Sequence, residues 1–183
     1  MIIWINGVFG SGKSSVAELV NMKISKSYVY DPEQVGYFLW DNFPDEMKRK
    51  VNFQHMAIWR EFNYKILKHI NDNYFGVIII PMTIYIKQYY DEIIGNLINE
   101  GVSIKHFILS VTKQTIINRL VQRGAAKDGW EAQHIDVCLN AFETDISGEK
   151  IVADIKNADE IATEIINLSE LYNTQITEGV QKG

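Results

Sequence analysis

The stretch INGVFGSGKSS, residues 5–15, places three glycines, a lysine and two serines directly after the first hydrophobic run. Gly7-Val8-Phe9-Gly10-Ser11-Gly12-Lys13-Ser14 has the spacing G-x-x-x-x-G-K-[ST], the phosphate-binding loop. Glycines let the backbone curl until successive N–H groups point inward at phosphate oxygens. A helix opening at the end of the loop adds the positive end of its dipole. The nucleotide site is therefore expected at Gly7, Val8, Phe9, Gly10, Ser11, Gly12, Lys13, Ser14 and Ser15. Lys13 reaches the β- and γ-phosphates and the Ser14 hydroxyl ligates Mg²⁺. A strand before the loop and a helix after it would complete the motif, and the neighbouring residues supply both signals.

Upstream, Ile2 to Ile5 is a short apolar run; downstream, Val16, Leu19, Val20 and Ile24 recur at helical spacing. The alternation continues along the chain. Tyr28-Val29-Tyr30 reads as a second strand stopped by Asp31-Pro32, and two helical stretches follow. Phe53, Ala57, Phe62, Ile66, Leu67 and Ile70 mark the expected buried stripe of the longer one. Val77-Ile78-Ile79-Ile80 looks like a strand covered on both faces. A helix carrying Ile93, Ile94, Leu97 and Ile98 should stop near Gly101. Ile104 to Ser110 gives a fourth strand, with helices at 113–122 and 130–142 around a polar loop. Ile151-Val152-Ala153 is the fifth strand, and Asn157-Ala158-Asp159-Glu160 is a capping box opening the last helix. The expectation is one three-layer α/β/α domain over residues 1–172 with a parallel five-stranded sheet, followed by a polar tail at 173–183.

Bulk properties exclude several function classes. The 183 residues are 46% hydrophobic and 22% charged, a globular balance with room for a large core. The net charge of -5 gives a nucleic-acid partner no electrostatic support, and Lys48-Arg49-Lys50 reads as a solvated cluster. With a single cysteine, Cys138, no disulfide can form within the chain, which fits a reducing compartment. The N-terminus lacks signal-peptide character and no run approaches the length of a membrane span. A cytoplasmic protein with no membrane partner is the expectation; oligomeric state is not legible.

The loop alone does not name the reaction. Switch GTPases and motor ATPases hold Mg²⁺ with an aspartate ending a strand, yet the third strand ends Pro81-Met82-Thr83. Asp31, at the carboxyl end of the second strand, stands where ligands of parallel sheets collect. There it could take the proton of an acceptor hydroxyl. Asp31-Pro32-Glu33-Gln34 is equally a helix start, with Asp31 as the cap, and the two roles can coexist.

Several segments resemble the tunicamycin-resistance family of TmrB type. They are Ile2 to Gly7 running into the loop, Tyr28 to Glu33, Trp59-Arg60-x-Phe62-Asn63-Tyr64, and Pro81-Met82-Thr83-Ile84. The likeness continues through Glu92-Ile93-Ile94-Gly95 and Trp130-x-x-x-x-Ile135-Asp136-x-Cys138, covering about residues 1 to 155. That family is similar in turn to P-loop small-molecule kinases. The resemblance implies a kinase-like P-loop NTPase fold with a lid near 124–130, ATP and Mg²⁺ as cofactors, and Asp31 as a functional acid. By analogy it implies phosphorylation of a hydroxyl on an antibiotic or metabolite, with Arg119 and Arg123 clamping the phosphoryl group. Lys127 is a weaker candidate in the same loop. Trp59 and Arg60 could present a stacking ring and a guanidinium to the acceptor, or be a core tryptophan beside a surface arginine. Thr83 could touch substrate or cap a turn. His134 and Cys138, four apart on one helix, are two ligands without partners, so packing is favoured over metal; His55, His69 and His106 show no ligand spacing. Two rivals to a tunicamycin kinase remain at this level: ATP-dependent sequestration of the antibiotic without chemistry, and a nucleoside or metabolite kinase.

Overall fold

Ile2–Gly7 forms β1, and all six residues are buried. In a computed structural model that describes residues 1–48, 52–124 and 129–171, this strand is the centre of the sheet. It pairs in parallel with β3 (Val77–Pro81) on one side and β4 (Ile104–Ser110) on the other. β2 (Ser27–Val29) flanks β3 and β5 (Glu149–Val152) flanks β4, giving the order β2-β3-β1-β4-β5, all parallel. Alternation along β1 feeds two separate cores. Ile3 and Ile5 pack under α1 (Lys13–Lys23), α6 (Lys113–Gln122), α7 (Trp130–Thr144) and α8 (Ala158–Leu168). Ile2 and Trp4 pack under α2 (Glu33–Asn42) and α3 (Ala57–Asn73) on the opposite face. These are the three layers expected from the sequence. Truncating any of these β1 isoleucines to alanine removes about 2–5 kcal/mol.

The last helix opens on the expected capping box, with Asn157 accepting from the Asp159 and Glu160 amides and Glu160 reaching back to the Asn157 N–H. Gly101 sits at φ +80 just past α5 (Asn96–Asn99), the left-handed stop foreseen there. That helical segment is less regular than its periodicity suggests: α4 (Lys87–Tyr90) and α5 are joined by a π-helical turn, Asp91–Gly95.

Only part of the stripe assigned to the long helix faces the core: Leu67 is buried, and Phe62 and Ile70 pack against that core. Phe53 belongs to a separate 3₁₀ turn, Phe53–His55, while Ala57 and Ile66 are exposed. The buried residues of α3 are Trp59, Arg60, Asn63 and Leu67. Two of these are polar, which hydrophobic periodicity places outside. They are buried because each has partners. Tyr30 Oη donates to Asn63 Oδ1 at 2.8 Å, Asn63 Nδ2 donates to the Trp59 carbonyl, and Arg60 is bonded to Glu92.

Arg49, Lys50, Lys127 and the tail at 173–183 lie outside the described residues, as does the middle of the expected lid. Lys48 pairs with Asp45 at 3.0 Å. Among the described residues, no helix is long and apolar enough to cross a membrane.

Candidate active site

The loop leaves β1 at Gly7 and returns to helix at Lys13. Glycine is required at its first and last turns. Gly7 adopts φ +145, and a Cβ there would stand 2.8 Å from Ser11 Oγ and 3.0 Å from the Leu109 carbonyl. Gly12 caps α1 at φ +100, a left-handed conformation that costs other residues energy. Val16 N bonds the Gly12 carbonyl at 3.1 Å. The amides of Lys13, Ser14 and Ser15 therefore precede the first helical bond and stand free for an anion.

Gly7 is held from both sides. Asn6 Oδ1 accepts its N–H at 2.9 Å, and Thr83 Oγ1 donates to its carbonyl at 2.8 Å. Asn6 itself is fully buried and also brackets Ile84, accepting from its N–H and donating to its carbonyl. Behind it stands His106, whose Nδ1 lies 2.7 Å from the Ser147 carbonyl; burial pushes its pKa down to about 4. The Lys13 ammonium folds back onto the Gly7 and Val8 carbonyls at 3.1 and 3.0 Å. Burial lowers its pKa to about 8, against the pull of the acids Glu33 and Glu131. A partly buried cation hydrogen-bonded to neutral carbonyls is a site poised for an anion.

Two clefts flank the loop. The first is lined by Lys13, Ser14, Glu33, Gln54, Thr83 and Glu131, with Phe9, Met82 and other neighbours closing it. Glu33 is the carboxylate that the sequence reading overlooked. It lies in the first turn of α2, and burial followed by the neighbouring Asp31 charge raises its pKa, opposed by a hydrogen bond from Tyr37 Oη and by Lys13. The second cleft is lined by Gly12, Ser15, Arg119, Arg123, Ala153 and Lys156, among others. Arg119 meets the loop here, Nη1 donating to the Ser11 carbonyl and Nη2 to the Ala153 carbonyl, both at 3.2 Å, and Arg123 lines the same cleft. At the start of α7, Trp130 sets its ring edge-on to Phe9 of the loop at 5.0 Å.

Three expected acceptor residues take other places. Asp31 lines neither cleft. Its Oδ1 accepts the Glu33 N–H at 2.9 Å and its Oδ2 accepts from Gln34 Nε2 at 3.0 Å, so it caps α2. Trp59 is fully buried and donates to the Pro32 carbonyl at 3.0 Å, fixing the turn that carries Asp31 and Glu33. Arg60 is 6% exposed; Nη1 donates to the Gln54 carbonyl, Nε binds Glu92, and its face lies 4.2 Å from the Tyr89 ring centre. Neither Trp59 nor Arg60 reaches a described cleft. They act behind the wall by positioning Glu33 and Gln54. Thr83 does line the first cleft, although its hydroxyl is committed to Gly7. His134 stacks on Trp130 at 4.3 Å and Cys138 is buried with its thiol pushed up to about 12, so the pair packs rather than ligates.

No protein-family model and no curated protein matches the chain. Among solved structures it is similar to a tunicamycin resistance protein of Deinococcus radiodurans, with TM-score 0.79, 23% identity, and 92% of this chain and 94% of that one covered. The chain has the P-loop NTPase fold. A gluconokinase from Sinorhizobium meliloti aligns at TM-score 0.61 and 14% identity over 96% of this chain and 95% of its own. Shikimate kinase from Aquifex aeolicus aligns at 0.56 and 17% over 96% and 99%. At these identities the likeness establishes fold and leaves activity to the site.

The residues of this P-loop kinase fold suit a nucleoside triphosphate with its metal. Free amides, the Lys13 ammonium and the Ser14 hydroxyl converge at one mouth. Among the described residues there is no group of three or more His, Cys, Asp or Glu side chains that could cage a metal alone.

Proposed function

We propose that the protein is an ATP- and Mg²⁺-dependent phosphotransferase acting on a hydroxyl of a small molecule, with a tunicamycin-type antibiotic as the first candidate. One observation carries the reading: Lys13, Ser14 and the carboxylate Glu33 line a single cleft. The loop amides and Lys13 would hold the phosphates, Ser14 would hold the metal, and the cleft beside Arg119 and Arg123 would take the nucleoside end. Bound Mg²⁺ supplies charge neutralisation on the β- and γ-phosphates. The acceptor oxygen forms a bond to the γ-phosphorus as the β–γ bridging bond breaks, and its proton passes to Glu33. Asp31 contributes by capping the helix that carries Glu33 and by raising the basicity of that carboxylate. Trp130, edge-on to Phe9 of the loop, shields the mouth, which keeps water from competing with the acceptor.

Support for the antibiotic comes from the tunicamycin resistance protein of similar structure and from the sequence resemblance. Mass spectrometry of tunicamycin after incubation with protein and Mg–ATP tests this. A product about 80 Da heavier (one added phosphoryl group on the hydroxyl), with stoichiometric ADP, is expected. Unchanged antibiotic retained by an ATP-bound protein would replace catalysis with sequestration.

A further inference from the structure

The Lys13 ammonium rests on the Gly7 and Val8 carbonyls at 3.1 and 3.0 Å. A nucleotide held by this motif takes the lysine onto its β- and γ-phosphates instead. Both carbonyls belong to buried residues, and a buried carbonyl left without a donor bears the full cost of its lost hydration. Each one, however, has a second donor already in place. Val8 accepts the Ser11 N–H at 3.1 Å, a bond inside the loop. Gly7 accepts the Thr83 hydroxyl at 2.8 Å, from a residue 76 positions away.

The backbone around Thr83 is fixed on every side. Before it, the Met82 N–H donates to the Ile5 carbonyl at 3.1 Å and the Met82 carbonyl accepts Trp4 Nε1 at 3.2 Å. After it, Asn6 accepts the Ile84 N–H and donates to the Ile84 carbonyl. The Thr83 carbonyl itself accepts Gln54 Nε2 at 3.0 Å. Thr83 is buried, and β-branching stiffens its side chain, so its hydroxyl is aimed at Gly7 in advance. Asn6 completes the frame by accepting the Gly7 N–H at 2.9 Å.

We propose that Thr83 is a positioning residue that frees Lys13 for the phosphates: its hydroxyl, with the Ser11 N–H, keeps both loop carbonyls paired when the ammonium turns away. This rests on the nucleotide reading above and names the device that lets the loop accept its ligand. The lysine is shared between two carbonyls that do not depend on it, so releasing it leaves neither one bare. In this role Thr83 acts on the nucleotide through Gly7 and Lys13, with no contact of its own to the phosphates.

Two donors on one carbonyl make their removal non-additive, and thermal melting of the apo protein reads this. Thr83→Val keeps the side-chain shape and leaves Lys13 on Gly7; Lys13→Met leaves Thr83 there. Only the double variant strips the carbonyl of both. Thr83→Val should therefore lower the melting temperature about 4 °C more in the Lys13→Met background than in wild type. A double variant that fails to fold while both single variants fold is the extreme of the same result. Calorimetric titration with Mg–ATP, without acceptor, gives a second readout. Thr83→Val should raise the Kd about tenfold, because its bound state is the one that leaves Gly7 bare, and Thr83→Ser should stay within about twofold of wild type. Equal melting shifts in the two backgrounds, or wild-type affinity in Thr83→Val, would make Thr83 a packing residue and overturn the inference while leaving nucleotide binding intact. A wild-type protein without affinity for Mg–ATP would overturn the proposed function and this role for Thr83 together.

Discussion

The two sides of the phosphate-binding loop are chemically opposite. On the α6–α8 side the described lining carries Arg119, Arg123 and Lys156 and no carboxylate. On the α2–α7 side it carries Glu33 and Glu131 against Lys13. One loop therefore divides a cleft whose described charges are cationic from one where two carboxylates face Lys13. The contrast supports the proposed donor and acceptor ends. It also puts Glu33 in a cleft and Asp31 at the start of the helix that carries it.

The sharpest way to break the comparison is at Asp31 and Glu33. Once an acceptor is in hand, Glu33→Gln should lower kcat by about 10²–10⁴, the usual worth of a positioned base. Asp31→Asn should stay within a few-fold, since asparagine caps a helix as well as aspartate. The pH profile adds a sign. A base works deprotonated, so a raised Glu33 pKa moves the acid limb of kcat/KM above its ordinary value of 4.5. Tyr37→Phe removes the hydrogen bond that lowers this pKa and should move the limb higher still. Equal losses in Glu33→Gln and Asp31→Asn, or a limb that ignores Tyr37, would return the base role to Asp31.

That pair also shows what the sequence could and could not display. The loop and the sheet were legible because each depends on local residue types at fixed spacing. Asp31 was visible both as a cap and as a strand-end acid, and the structure gives it the cap. Glu33 stood two residues away in the same segment, but nothing local says which of two acids faces the cleft. That is decided by the turn that Trp59 fixes through Pro32 from a distant helix. Trp59 and Arg60 drew attention as a polar-aromatic pair, and their burial depends on Glu92, Tyr89 and Gln54, all remote in sequence. Gln54 carried no sequence signal at all, and Glu131 was masked by the helical pattern around it.

A smaller effect sharpens the cationic side. Arg119→Ala should raise the KM for ATP about tenfold, a loss of about 1.4 kcal/mol, and leave the acceptor KM unchanged. Steady-state kinetics with each substrate varied in turn would show the split. A rise in acceptor KM instead would mean the two clefts are not separate ends of one reaction.

The central claim is that the loop amides and Lys13 form a cradle for a polyanion, and Mg–ATP titrated against the apo protein under thermal melting tests it most directly. Wild-type protein should gain stability with nucleotide, about 2.7 kcal/mol at a hundredfold excess over Kd, and Lys13→Met should show no such gain. Without nucleotide that variant should melt at or above wild type. The Lys13 pKa, lowered to about 8 by burial, means its charge opposes folding at neutral pH, a cost relieved only as pH rises above 8. A wild-type melting temperature that no nucleoside triphosphate moves, or a Lys13→Met protein that responds as strongly, would contradict the account.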